Sequence, residues 1–340
     1  MSSIHAKEMS RRSFLKRASS LAAAGYVGVR HGVSVAAQPL ETATIRLVHA
    51  PSICVAPQYL AEQFMRMDGF KDIQYLPLGS RNGPQAVADG RADIAMWDAP
   101  ALMPLLDANS KLVILAGVHA GCYELFARGD IRSIVGLKGR TVAVQYFNGG
   151  DHVLLSSMLA YVGVNPQRDV NWISGESSRD AMGLFVEGKA DAFLGFAQQP
   201  EELRLKNVGH LIINTAEDRP WSQYFCCMIA ANRDFIERNP MAAKSVVRGV
   251  LKAADLCASD PTGAARFLSD KLYEPRFQIG LNVMTRIPFD FWRKANPEDT
   301  IRFHALRLYE VGMIQTPPNK IILRNTDWRI LDQLKRELKA

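Results

Sequence analysis

Short apolar runs of strand length alternate with amphipathic segments of helical spacing between residues 44 and 215. The pattern predicts strands at 44–49, 72–77, 93–97, 111–118, 122–128, 141–145, 169–173, 191–195 and 209–215. Helices are expected between most of these runs, at 84–90, 100–108, 152–162, 178–187 and 198–206 among others. Such alternation is typical of α/β proteins whose mostly parallel sheets carry helices on both faces. From residue 232 onward, apolar positions recur every three to four residues, which predicts a mostly helical C-terminal region.

One stretch of this pattern occurs twice in the chain. Residues 89–93 read DGRAD and residues 187–191 read EGKAD, and each copy precedes an apolar run of strand length. The glycine in each copy suits the C-cap of a helix that ends there. Weaker echoes link residues 71–76 with 168–173 and residues 45–48 with 142–145. The repeat therefore predicts two similar lobes.

The C-terminal helices are expected to complete the first lobe. A strand at 224–231 would return the chain to that lobe, and the apolar helix faces that follow must be buried against something. This interpretation places lobe I at 44–130 plus 228–340, with lobe II at 131–227 inserted between the two parts.

The N-terminal segment, residues 1–37, has the pattern of an export signal. Residues 10–16 carry the paired Arg11 and Arg12, a mildly apolar run covers 18–29, and small residues at 35–37 suit a cleavage site. A buried amphipathic helix is the alternative, and the apolar run is too short to span a bilayer. Residues 10–16, SRRSFLK, resemble the twin-arginine consensus. The resemblance implies export of a folded chain to the periplasm by the twin-arginine translocase, and no lipobox cysteine precedes the cleavage region.

The net charge gives little support to nucleic-acid binding. The chain of 340 residues has a formal charge of +7, and six basic residues against one acidic residue in 1–37 supply +5 of it. The remaining +2 is too small for a basic binding surface. The five cysteines are scattered and odd in number, so we predict neither a disulfide framework nor a metal site: Cys54, Cys122, Cys226, Cys227 and Cys257.

Ligands of open parallel sheets bind beyond the carboxyl ends of the strands, where loops lead into helix N-termini. This rule selects the loops that hold our candidate ligand-binding residues. They are Ser52, Trp97, Asp98, His119, Phe147, Asn148, Gly149, Gly150, Glu176, Ser177 and Phe196. We predict no catalytic residue, because the isolated His119 has no partner base or nucleophile in its motif.

Several of these residues also have a purely structural interpretation. Asp98 and Ser177 can cap the helices that follow them, and the two glycines of the 148–151 loop can form an ordinary turn. Aromatic residues are more often part of a core than of a ligand site. The sequence leaves both interpretations open.

Three further motifs resemble a known family. Residues 137–144 (LKGRTVAV), 188–192 (GKADA) and 90–95 (GRADIA) are similar to segments of the nitrate/sulfonate/taurine group of periplasmic binding proteins, which includes binders of thiamine pyrimidine precursors. The resemblance implies a type II binding-protein fold with two lobes and a two-stranded hinge. It also implies a monomer without enzymatic activity or cofactor that delivers a sulfonate, a nitrate-like anion or an aminopyrimidine to an inner-membrane ABC permease.

Two other functions remain open at this point. Cys226 and Cys227 faintly resemble the cysteine run of fungal thiamine pyrimidine synthases, which would make the chain an enzyme that uses a histidine and a metal. Buried strand cysteines explain the same residues. A periplasmic ligand sensor is the third candidate. Asp98 departs from the small polar residues of anion-binding relatives, so we expect a ligand with a donor or cationic group, stacked on Trp97 or Phe147.

Overall fold

The computed structural model describes residues 39–50 and 52–340, and the predicted export segment lies outside them. Two five-stranded sheets organise this part of the chain. The first sheet has the order β2-β1-β3-β10-β4, and the second has the order β7-β6-β8-β5-β9. The strands are β1 (Thr44–Val48), β2 (Asp72–Leu76), β3 (Ile94–Asp98), β4 (Leu112–Ala120), β5 (Tyr123–Ala127), β6 (Thr141–Val144), β7 (Asn171–Ser174), β8 (Ala192–Phe196), β9 (His210–Asn214) and β10 (Phe225–Asn232).

Four strands of each sheet run in one direction and a single strand runs against them. In the first sheet β1 pairs in parallel with β2 and β3, whereas β10 lies antiparallel between β3 and β4. The second sheet repeats this arrangement, with β5 antiparallel between β8 and β9. The predicted fold class, two α/β lobes with mostly parallel sheets, is confirmed.

The chain crosses between the sheets earlier than the sequence suggested. Strand β5, which the predicted division assigns to lobe I, pairs only with strands of the second sheet, and β10 begins at Phe225 in the first sheet. The crossings therefore lie at 121–122 and 215–224, between strands β4 and β5 and between β9 and β10. The boundaries at 130 and 227 are corrected accordingly. Alternating apolar residues reveal a strand but do not reveal which sheet it joins.

The two crossings contact each other directly. A Cβ atom at Gly121, whose φ is +53°, would lie 2.3 Å from Ala216 Cα, so a larger residue has no room there. Thr215 Oγ1 accepts a hydrogen bond from Tyr123 N–H at 3.1 Å. Cys122 and Cys226 form a disulfide between the first crossing and β10. The prediction of no disulfide framework is wrong for this pair, because residues 104 positions apart meet only through the double crossing.

Helices cover both sheets. They are α1 (Ala56–Leu60), α2 (Glu62–Asp68), α3 (Gly79–Ala88), α4 (Ala99–Asp107), α5 (Gly150–Tyr161), α6 (Ser178–Val186), α7 (Gln198–Lys206), α8 (Arg233–Arg238), α9 (Pro240–Ser259), α10 (Pro261–Asp270), α11 (Phe277–Arg286), α12 (Pro297–Glu310), α13 (Pro318–Asn325) and α14 (Arg329–Glu337). The C-terminal helices α9, α13 and α14 pack on β4 of the first sheet, and α12 packs on α4 and α5. Among the described residues, no helix is both long and apolar enough to cross a membrane.

The sequence repeat has the same structural role in both lobes. Gly90 and Gly188 adopt the left-handed conformation after a helix, with φ of 75° and 78°. Three residues later, Asp93 Oδ2 accepts from Arg46 N–H and Asp191 Oδ2 accepts from Thr141 N–H, each at 2.8 Å. Each aspartate thereby ties the start of its strand to the neighbouring parallel strand.

Candidate functional site

A cavity of about 690 Å³, including its opening to solvent, lies where the two sheets face each other. The carboxyl ends of β3, β6 and β8 and the amino ends of β5 and β10 meet there, as expected for a ligand site in open α/β sheets. Residues of the first sheet side include Ser52, Cys54, Met96, Trp97, Asp98 and Cys227; residues of the second include Tyr123, Gln145, Tyr146, Gly150, Asp151 and Phe196.

Asp98 lies at the contact between the two lobes. As the N-cap of α4, its carboxylate accepts a hydrogen bond from Ala101 N–H at 3.3 Å. The same oxygen, Oδ2, accepts from the Tyr123 hydroxyl at 3.4 Å. Burial raises the pKa of Asp98 to about 7 although the residue keeps some surface facing the cavity. Asp98 therefore combines the cap role with a position in the site, as the sequence allowed.

Gly150, the first residue of α5, gives the Asp98 carboxylate the room it needs. A Cβ atom at this position would lie 1.9 Å from Asp98 Oδ2 and 2.9 Å from the Tyr123 hydroxyl. Neither neighbour can be displaced without opening the contact between the lobes. The carboxylate thus faces the positive N-terminal end of α5, which favours a negative charge there.

Asp151 is a second buried carboxylate in the cavity wall. Its Oδ2 accepts from Gln145 N–H at 2.6 Å and its Oδ1 from His152 N–H at 2.9 Å. Burial raises the pKa of Asp151 to about 6, against the opposing effect of these hydrogen bonds. No lysine, arginine or histidine is among the described residues that line the cavity. The charged groups of the wall are therefore acidic.

Three cysteines contribute sulfur atoms to the same wall. Cys54 follows β1 in a short 3-10 helix, Cys122 lies in the first crossing, and Cys227 pairs with Asp98 across β10 and β3. Cys54 Sγ lies 3.9 Å from Cys227 Sγ and 3.1 Å from Ser52 Oγ. The contact with Cys227 lowers the pKa of the Cys54 thiol well below its usual range. Cys54 is therefore the thiol of this group most readily ionised.

Five of the eleven predicted residues line the cavity: Ser52, Trp97, Asp98, Gly150 and Phe196. Phe196 lies at the end of β8 with its ring centroid 5.6 Å from that of Tyr123. Trp97 offers less surface than expected, because only 6% of it is exposed and its ring packs against Gly83 of α3. Aromatic contacts to a ligand are accordingly better placed at Phe196 and Tyr146, which are half-buried, than at Trp97 or at Tyr123, which is 4% exposed.

The other six predicted residues lie elsewhere. His119 is fully buried, with its ring nitrogens 3.1 Å from the carbonyl oxygens of Cys54 and Ala120, and supports the wall from behind. Phe147 is 53% exposed and points away from the cavity wall, against His152. Ser177 caps α6 by accepting from Asp180 N–H. The remaining three do not line the cavity either: Asn148, Gly149 and Glu176.

The sequence missed Tyr123 and Cys227 for a topological reason. Both lie at the amino ends of reversed strands, which reach the same sheet edge as the carboxyl ends of the parallel strands. A rule based on carboxyl ends cannot select them. Asp151 was not a candidate either. It follows the N-cap residue Gly149 in the first turn of α5, and its side chain turns back toward Gln145.

Two lobes of this topology around an interlobe cavity define the periplasmic binding-protein fold. The structure resembles the nitrate-binding protein NrtA from Synechocystis PCC 6803, with a TM-score of 0.75 and 14% identity over 89% of this chain and 90% of that chain. It also resembles the alkanesulfonate-binding protein SsuA from Xanthomonas axonopodis pv. citri (TM-score 0.64, 17% identity, 81% and 95% covered). SsuA from Escherichia coli is similar at a TM-score of 0.63, with 18% identity and 81% and 89% covered.

The family is established by the sequence itself. Residues 72–264, more than half of the chain, match the family model described as NMT1/THI5 like. The chain belongs to the NMT1/THI5-like family. No curated protein sequence matches it.

Proposed function

We propose that this protein is a periplasmic solute-binding protein that presents a small organic ligand to an inner-membrane ABC permease. The observation that carries the proposal is the cavity between the lobes, which takes side chains from both. Solved proteins of the same fold bind nitrate or alkanesulfonate according to their descriptions. In this proposal the protein acts as a monomer without catalysis.

The ligand class follows from the charge of the wall. Asp98 and Asp151 are the carboxyl groups of the wall, and among the described residues no lysine, arginine or histidine lines it. With a pKa of about 6, Asp151 is mostly ionised at neutral pH, and with a pKa of about 7, Asp98 is about half ionised. A carboxylate about 4 Å from an anionic ligand would cost on the order of 4 kcal/mol at the effective dielectric of a protein surface. A helix N-terminus offsets only about 0.3 to 1 kcal/mol of this. The ligand therefore carries an amine or another donor group toward Asp98, as an aminopyrimidine does, rather than a nitrate or sulfonate group.

A thermal-shift screen of the purified chain tests the proposal. Sulfonates, nitrate, carboxylates, amines and aminopyrimidines are compared at equal concentration. A ligand at a hundred times its dissociation constant adds about 2.7 kcal/mol to the free energy of unfolding, which gives a clear rise in Tm. Shifts by amines or aminopyrimidines support the ligand class, and shifts by anions alone contradict it.

Asp98→Asn then identifies the group that the ligand meets. Calorimetric titration should show binding of the amine ligand weakened at least about tenfold, or roughly 1.4 kcal/mol. Asp327→Asn, remote from the cavity, is the matched control and should leave affinity unchanged. Tighter binding of a plain anion by Asp98→Asn would leave Asp98 as a helix cap only.

The enzyme interpretation is tested on the same sample. The chain is incubated with the best ligand, and the ligand is quantified by mass spectrometry before and after. Recovery of unchanged ligand in full supports the binding function. Conversion that exceeds one ligand per chain would instead make the protein an enzyme on this fold.

A further inference from the structure

Sulfur atoms from three distant segments of the chain converge at the base of the cavity. The Sγ atoms of Cys54, Cys122 and Cys227 all lie within 4.8 Å of one another. Cys54 and Cys227 are buried, and Cys122 is half-buried at the crossing. All three line the cavity, so a small ion can reach them from it.

The spacing of these atoms suits coordination of one ion. Two thiolates bound tetrahedrally to zinc at about 2.3 Å are roughly 3.8 Å apart. Cys54 Sγ and Cys227 Sγ are 3.9 Å apart before any ion is present. Little movement is therefore needed to bring both onto one metal ion.

The charge of the cavity wall and the softness of the sulfur ligands both favour a soft metal cation. The Asp98 and Asp151 carboxylates line the cavity, and no described lysine, arginine or histidine lines it with them. A negative wall attracts cations, and thiolates select soft cations over magnesium or calcium.

We propose that Cys54, Cys122 and Cys227 form a three-thiolate site for one soft d¹⁰ cation, such as Zn²⁺ or Cd²⁺, when the Cys122–Cys226 disulfide is reduced. A dithiol reductant breaks the sulfur–sulfur bond by thiol–disulfide exchange: the dithiol supplies two electrons and two protons and becomes a disulfide, and Cys122 and Cys226 become thiols. Binding then releases protons from the thiols that coordinate the ion. In the disulfide form Cys122 carries no thiolate, so only Cys54 and Cys227 remain. The disulfide thus controls the third ligand.

Titration with Cd²⁺ alone tests the site without any organic ligand. The chain is reduced with dithiothreitol, freed of reductant and metal under nitrogen, and titrated while thiolate-to-cadmium charge-transfer absorption is recorded. One equivalent should bind with the absorption of three thiolates. The oxidised chain should show two-thirds of that absorption or less and at least about tenfold weaker affinity, because loss of even an outer-shell partner of a metal ligand costs about 10- to 100-fold.

Substitutions identify the ligands. Cys54→Ser and Cys227→Ser should each remove a third of the absorption and weaken binding at least about tenfold. Cys257→Ser is the matched control, because Cys257 is buried in α9 and is not one of the three converging cysteines. An equal loss of absorption and affinity in Cys257→Ser would contradict the proposed site. Reduced wild type that binds cadmium no more tightly than the oxidised form would also contradict it.

The comparison of reduced with oxidised wild type needs no substitution, so a variant that fails to fold does not leave the inference undecided. The solute screen is run on metal-free oxidised chain. Failure of the screen and failure of the cadmium titration are therefore separate results.

Discussion

A missing side chain at Gly150 allows the two lobes to meet. The Asp98 carboxylate occupies the space that a Cβ atom at this position would need, with 1.9 Å between them. Gly183 in α6 of the same lobe has nothing within 4 Å of its Cβ position. The two glycines therefore form a matched pair, one required by a close approach and one free to change.

Gly150→Ala should weaken ligand binding. An added methyl group in such a close contact costs about 1 to 3 kcal/mol. If the cost falls only on the arrangement in which the lobes meet, the affinity should fall roughly 5- to 150-fold. Gly183→Ala should leave affinity unchanged and raise helix stability by up to about 1 kcal/mol. Calorimetric titration of both variants decides the matter, and equal affinity of Gly150→Ala and wild type would show that the lobes do not need this contact.

Asp98 gives the protein a pH dependence of known sign. Its pKa in the folded chain is about 7, against an ordinary value of 3.8, because burial disfavours the charged form. The folded state then holds a proton that the unfolded chain has already lost, so the free energy of unfolding falls as pH rises from about 4 to about 7. Above the folded pKa this contribution is constant.

When the pH is raised from about 5 to about 8, the free energy of unfolding should therefore fall less for Asp98→Asn than for wild type. Urea unfolding at the two pH values measures the difference. Asp327→Asn provides a contrast, because the Arg329 guanidinium lowers the pKa of Asp327. A pH profile of Asp98→Asn parallel to that of wild type would show that this carboxyl group does not titrate in the window.

Sequence reasoning succeeded for residues whose role follows from local pattern. The repeated aspartates Asp93 and Asp191 were identified as parts of one motif, and both fasten a neighbouring strand. Asp98 and Phe196 were found because they end parallel strands. Cys54 and Asp151 were not, since their places in the wall depend on loops that turn back on themselves, and periodicity carries no information about such turns.

At the scale of elements, helix α11 from the C-terminal region holds helix α7 of the second lobe. Glu201 of α7 pairs with Arg286 of α11 and accepts from Asn282 Nδ2 at 3.0 Å. Arg276, just before α11, pairs with Glu202 at 2.7 Å. The sequence predicted neither α11 nor this contact, because charged residues on two helices reveal their partners only once the fold brings them together.

Glu201→Gln should loosen this attachment. The Glu201 side chain is only 8% exposed. Removing its charge should therefore lower the free energy of unfolding by at least about 1.5 to 3 kcal/mol, the contribution of a hydrogen bond to a charged group. We expect a loss of that size in chemical unfolding and a larger radius of gyration in solution scattering. Glu298→Gln, which removes the exposed pair with Arg302, should cost less than about 0.5 kcal/mol. Similar losses in both variants would mean that α11 does not hold the lobes together.

At the scale of the whole molecule, the sequence repeat was sufficient to predict the two lobes, and the alternation of strands and helices to predict the direction of most strands. Of the two strands that follow the crossings, the return of β10 to the first sheet was predicted, but the place of β5 in the second sheet was not. The sequence showed that a strand returns near residue 224, but it did not show that β5 had already left the first sheet. Sheet membership is a property of pairing over long distances, which local propensity does not encode.

The export route is a prediction for the whole chain. Replacing Arg11 and Arg12 with lysine preserves the charge of the segment but removes the paired arginines on which the resemblance depends. We expect the chain to accumulate in the cytoplasm when cells expressing this variant are fractionated. Replacing Lys7 with arginine is the control and should leave export unchanged. Undiminished periplasmic protein in the double lysine variant would argue for another route.

The position of β10 also sets the order in which the lobes can be finished during synthesis. Strand β10 separates β3 from β4, so the sheet begun at Thr44 cannot close until Asn232 has been translated. The second sheet ends at Asn214 and can form earlier. Until β10 has been translated, β3 and β4 each present an unpaired edge, which is a template for aggregation on the ribosome. The lobe whose synthesis starts first is thus the one completed last, and the nascent chain must be protected during the interval.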